Sequence, residues 1–123
     1  MAIFTVGIGG AIGASLRFFI GTFFTVATDF PVITLFINWC GSFLFGYIIH
    51  QTYVKKHQTV KLLLTTGFLG GFTTFSTFSL EAYTLFEQQH IFQAITYIIL
   101  SGIGSVSLCF LGLILVHKGG RPA

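Results

Sequence analysis

The sequence predicts an all-α membrane protein of four transmembrane helices, and three observations predict it. Charged residues make up 7% of the chain against 54% hydrophobic, where a soluble domain carries roughly 25% charged residues to cover its surface. Mean hydropathy is +0.90, and the apolar residues come in runs rather than on one face of amphipathic segments, as in helices solvated by lipid. Polar breaks then divide the chain into segments of about 20 residues, the length that crosses a bilayer.

The first span is expected over 2–26. Its first 15 residues hold no Lys or Arg, and it is rich in glycine and runs on past Arg17, so it reads as a retained helix rather than a cleaved signal peptide. Thr28-Asp29-Phe30-Pro31 ends it, and the second span follows over 32–53. The stretch VKKHQTVK at 54–61 separates it from a third span over 62–86, and Glu87-Gln88-Gln89-His90 separates that from a fourth over 91–116. The tail, 117–123, is too short to form a domain, so 1–123 is expected to be a single transmembrane unit.

Charge suggests an orientation. An even number of spans puts the N-terminus, the middle loop and the C-terminus on one side, which holds Lys55, Lys56, Lys61, Lys118 and Arg121, while the two opposite connections hold no Lys or Arg. By the positive-inside rule that side faces the cytoplasm. These residues lie in a short loop and a tail and form no stripe on a folded surface, so they predict contact with the lipid bilayer and not with nucleic acid. Cys40 and Cys109 both fall within apolar spans and read as small packing residues, not as a disulfide framework.

Small residues line up turn by turn. Gly9, Gly13, Arg17 and Gly21 share one stripe of the first span, with Gly10 and Ala14 beside it, and Asn38, Ser42 and Gly46 share one of the second. Such faces let helix backbones approach closely in lipid. Packing accounts for the glycines but not for Arg17 or Asn38. An arginine within a span is costly and faces a cavity or a partner, unless it snorkels to the interface.

The third span is the most informative stretch: Gly67-Phe68-Leu69-Gly70-Gly71-Phe72-Thr73-Thr74-Phe75-Ser76-Thr77-Phe78-Ser79. A glycine pair followed by Ser and Thr makes a weak helix in mid-span, so a break near the midplane is expected. Non-helical backbone at that depth is tolerated only where protein buries it or where it lines a wet cavity. A broken helix offers carbonyls to a cation and a half-helix N-terminus to an anion, which makes the segment a candidate ion site against the alternative of a kinked packing helix. Phe75 and Phe78 lie three apart on one face, and the edges of aromatic rings carry positive quadrupole density that attracts an anion. Glu81, farther along the same span, reads either as a functional group or as a carboxylate salt-linked at a helix end.

The run Gly70-Gly71-x-Thr73-Thr74-Phe75-Ser76-Thr77-Phe78-Ser79-x-Glu81, preceded by Gly67-Phe68, resembles the Fluc (CrcB) fluoride channels. So do Gly10-Ala11-x-Gly13-Ala14-x-x-Arg17, Asn38-x-x-Gly41-Ser42-Phe43 and the ladder Tyr97, Ser101, Ser105, and together these cover essentially the whole chain. The resemblance implies an antiparallel, dual-topology homodimer in the bacterial plasma membrane, with two fluoride pores and a structural Na+ on its axis. Backbone carbonyls of Gly70 and Thr73 from both subunits would hold the sodium. Phe75 and Phe78 would line each pore with ring edges, Asn38 would donate a hydrogen bond to fluoride, and Tyr97, Ser101 and Ser105 would form a polar track. Arg17 matches a basic position near the pore vestibule, and Thr77 and Glu81 match positions associated with ion passage. The implied role is passive export of fluoride, which lowers cytoplasmic fluoride.

The residues point to no enzyme. They contain no paired nucleophile and base, no cluster of metal-ligating side chains and no phosphate loop, the glycine pair lacking the lysine such a loop needs, and no organic cofactor is expected. A small multidrug exporter would need a carboxylate in the first span, which carries Arg17 and no acid. A haem-holding anchor would need histidines facing each other within spans, whereas His50, His57, His90 and His117 sit at ends or loops. The basic bias toward one side leaves two assemblies open, the homodimer and a heterodimer with an oppositely inserted paralogue.

Overall fold

A computed structural model describes residues 2–23 and 30–119. The end of the expected first span (24–26), the Thr28-Asp29 break and the tail beyond Gly119, with Arg121, lie outside the described residues. Within them the chain is helical, with no strand.

The elements are α1 (Ala2–Phe23), α2 (Val32–Ile48), α3 (Thr52–Lys56), α4 (Gln58–Lys61), a π-helical segment (Leu62–Leu69), α5 (Gly70–Phe72), α6 (Ser76–Glu87) and α7 (Ile91–Gly119). Bounds differ from the sequence expectation in several places, and α7 runs on to Gly119, past the expected end at 116. The helix expected over 32–53 stops at Ile48, because the Gln51 N–H turns back onto the Ile48 carbonyl and Gln51 is extended. The polar stretch 54–61 is itself mostly helical, in two short pieces that meet at an extended His57.

α1 and α7 are long and apolar enough to cross a membrane, and only 11% of the most apolar window of each is buried within the chain. The core helix of a soluble protein hides its apolar side chains. Here Ile3, Phe4, Phe18 and Phe92 are 72–85% exposed, a surface suited to hydrocarbon or to a second protein.

Two packing arrangements position the site. α1 lies along the π-helical segment and α5, while α2 runs parallel to α7 with α6 alongside. The first depends on glycine: a Cβ on Gly13 would meet the Phe68 carbonyl and lie 2.8 Å from the Phe72 amide, and one on Gly71 would lie 3.0 Å from Gly10 Cα. The second is closed by Trp39, whose indole N–H donates to the Leu100 carbonyl at 3.1 Å. A buried cluster of Leu35, Ala82, Leu85, Ala94 and Tyr97, with Phe30, Trp39 and Phe78 against it, ties α2, α6 and α7 together.

Candidate functional site

The third apolar stretch leaves helical geometry at Thr73–Phe75. Thr73 is extended (φ −82°, ψ 160°) and helix resumes at Ser76. The glycine pair that draws attention in the sequence is not where the helix opens. Gly70 and Gly71 are helical, Gly71 pressed against Gly10 of α1 and Gly70 facing the cleft, and the break follows at the threonines.

Side chains from the neighbouring helices satisfy the opened backbone. Asn38 Nδ2 donates to the Thr74 carbonyl at 3.1 Å and Asn38 Oδ1 accepts from the Thr74 N–H at 3.0 Å, so one amide closes both ends of a single peptide residue. Arg17 Nε donates to the Gly71 carbonyl at 3.2 Å, which directs this half-buried arginine to the break and not to the membrane surface. Thr74 Oγ1 accepts from the Thr77 N–H at 3.1 Å and caps the helix that follows. In a hydrocarbon setting each such bond replaces an unsatisfied group that would cost several kcal/mol.

Two carbonyls are left without their helical donors. The N–H that would close a helix onto Gly70 O belongs to Thr74 and goes to Asn38 Oδ1, and the one that would close onto Thr73 O belongs to Thr77 and goes to Thr74 Oγ1. Both residues line the same cleft.

That cleft, about 610 Å³, lies between α2, the break and α7. It gathers Asn38, Phe75, Phe78, Ser101 and Ser105 with Gly70 and Thr73, and adds Ser42, Thr65 and Thr74. The rings of Phe75 and Phe78 are 5.7 Å apart at 38°, and Phe75 is 78% exposed. Ser101 is buried, and its hydroxyl makes no hydrogen bond.

The other candidates lie outside this cleft. Arg17 is on the α1 side of the break, and Thr77 is half-buried in the first turn of α6. Tyr97 is fully buried behind Phe78, with ring centres 5.1 Å apart, and Phe30 meets its other side edge-on at 5.6 Å. Its hydroxyl donates to Glu81 Oε1 at 3.0 Å, and Thr34 Oγ1 donates to Glu81 Oε2 at 3.1 Å. Among the described residues Glu81 is therefore held by two hydroxyls and not by a salt link. It lines a second cavity of about 320 Å³, and Tyr97, its hydroxyl partner, packs on Phe78 of the first cleft. Sequence reasoning missed Thr34 and Thr74. Thr34 was within reach, since it lies one turn before Asn38 and extends the Asn38–Ser42 stripe. Thr74 was not, because its role comes from where the helix opens.

With apolar outer faces and a cleft that brings hydroxyl and amide side chains to an interrupted helix, the chain is a helical membrane protein. Its residues 4–113 match the family model described as CrcB-like protein, Camphor Resistance (CrcB). It is 41% identical over 108 residues to Fluoride-specific ion channel FluC 1 of Staphylococcus aureus (strain bovine RF122 / ET3-1), covering 86% of this chain and 88% of that protein. It is also 40% identical over 126 residues to Fluoride-specific ion channel FluC of Legionella pneumophila (strain Paris), covering 94% of each. The chain belongs to the CrcB-like family.

Proposed function

We propose that this chain is the subunit of a fluoride-selective channel that lets the ion leave the cell down its gradient and lowers cytoplasmic fluoride. The observation that carries this reading is the donor set of the cleft. Ser101 offers a buried hydroxyl with no partner, Asn38 keeps one amide N–H beyond the one given to Thr74, and the Phe75 and Phe78 rings flank both. Fluoride is small and strongly hydrated, so a pore must replace its water shell with donors yet bind weakly enough for the ion to leave. Hydroxyls, one amide and ring edges meet that need without a full positive charge. The names of the relatives point to the same ion. Conduction of this kind is passive and requires no catalytic residue.

The assembly we infer has four spans per subunit in the bacterial plasma membrane, with two subunits antiparallel and a Na+ shared on the axis. The Gly70 and Thr73 carbonyls fit a hard cation, which takes oxygen ligands, because their helical donors are engaged elsewhere. Bound there, the ion would supply positive charge to the oxygens that the two breaks expose.

Fluoride efflux from liposomes loaded with fluoride and holding the purified chain tests the reading. We expect rapid fluoride loss with chloride retained, and Phe75→Ile with Phe78→Ile should abolish it. A folded wild-type chain that releases no fluoride, alone or with an oppositely inserted paralogue, would overturn it.

A further inference from the structure

We propose that His50 and His117 form a site for a late first-row divalent cation such as Zn2+, at the end of the molecule where α2 and α7 terminate. His50 lies in the turn just after α2, and His117 in the last turns of α7. Their ring centres are 6.3 Å apart and tilted by 44°. With Zn–N bonds of about 2.0–2.1 Å and near-tetrahedral angles, two imidazoles on one ion have centres roughly 5–5.6 Å apart, so the two side chains would close by about 1 Å and turn one nitrogen each onto the cation.

The scaffold fixes this separation. One turn before His50, Gly46 meets the backbone of Cys109, and five residues before His117, a Cβ on Gly112 would lie 2.8 Å from the Tyr47 amide. The two helices are therefore in backbone contact just below the histidine pair, and neither can swing away without opening that contact. A second observation points to a ligand: His50 Nδ1 is buried and has no hydrogen-bond partner, an arrangement that is unfavourable unless something satisfies it. His57, the nearest other histidine in sequence, is already engaged, with Nδ1 2.8 Å from the Tyr53 carbonyl and its ring stacked 4.0 Å from Tyr53.

The chemistry selects the ion. Imidazole suits Zn2+, Cu2+ and Ni2+, and a site without carboxylates is poor for Mg2+ or Ca2+. Among the described residues no third His, Cys, Asp or Glu completes the set, so water fills the remaining positions. Both helices present their C-terminal, partially negative ends here, which favours a cation. Lys55 and Lys56 on α3 and Lys61 on α4 oppose it, but Lys55 and Lys56 are exposed and screened by salt.

Calorimetric Zn2+ titration of the full chain in detergent, carrying no histidine tag, tests the site. We expect about one Zn2+ per chain, weakened at least tenfold by His117→Ala and by His50→Gln and unchanged by His57→Ala. His117 is exposed, so its replacement leaves the fold intact and decides the matter even if His50→Gln does not fold. A wild-type chain that binds no Zn2+, or a His117→Ala chain that binds as tightly, would overturn the proposal.

Discussion

The residue on which the break depends most is Asn38, because a single side chain satisfies both the N–H and the carbonyl of Thr74. Alanine there removes two hydrogen bonds and leaves both backbone groups unpaired, at a cost of roughly 2–4 kcal/mol. Asn38→Ala should therefore lower the thermal midpoint in detergent as well as fluoride efflux, whereas a residue that only touched the ion would change efflux alone. Aspartate should fare no better, since it keeps the acceptor but sets a carboxylate oxygen against the Thr74 carbonyl. Tyr97→Phe isolates a different bond. It preserves the ring packing on Phe78 and Phe30 but strips Glu81 Oε1 of its donor. We expect a loss of about 1–3 kcal/mol, read as a lower thermal midpoint. At this scale the sequence marked Asn38 and Arg17 as polar groups that packing does not explain, and the resemblance put Tyr97 in a polar track, but their partners were not legible. Each bonds to a residue 16 to 54 positions away, and no periodicity within one helix encodes such pairings.

At the scale of the element, the third apolar stretch was legible as a weak helix but not as to which residues would open it. Glycine and threonine both weaken a helix in isolation. Tertiary packing assigned them different tasks, Gly71 to contact with α1 and the threonines to the break, because α1 comes so close to Gly71 that no side chain fits between. The glycines of α1 divide in the same way. Gly9 and Gly13 are pressed against the Leu62–Leu69 segment and α5, whereas a Cβ on Gly7 would have nothing within 4 Å inside the chain. Gly13→Ala should thus separate the two helices by backbone movement, cost more than about 2 kcal/mol, and disturb the break through Arg17 and Gly71. Gly7→Ala should gain a few tenths to about 1 kcal/mol from helix propensity. Thermal denaturation of the two variants in the same detergent compares them directly.

For the whole molecule the open question is how one chain covers its own exposed faces and completes the cleft. The apolar pattern foretold a lipid-facing surface, and the nearly unburied outer faces of α1 and α7 agree with it. Assembly is harder to infer from one chain, since lipid and a second subunit present equally apolar partners. Charge favours one orientation, because Lys55, Lys56 and Lys61 lie in the middle loop while the opposite connections have no Lys or Arg. That bias is modest in kind: orientation depends on differences of a few basic residues, and small changes in them flip a topology. The antiparallel homodimer requires this chain, expressed alone, to insert both ways. Reporters active on only one side of the membrane, fused after the C-terminus, should therefore both give signal. Replacing Lys55 and Lys56 with Gln should shift the ratio between them, and fluoride efflux should be greatest where the two orientations are nearly equal. If only the cytoplasmic reporter responds and efflux appears only when an oppositely biased paralogue is co-expressed, the working unit is a heterodimer, and the cleft described here is completed by a different sequence.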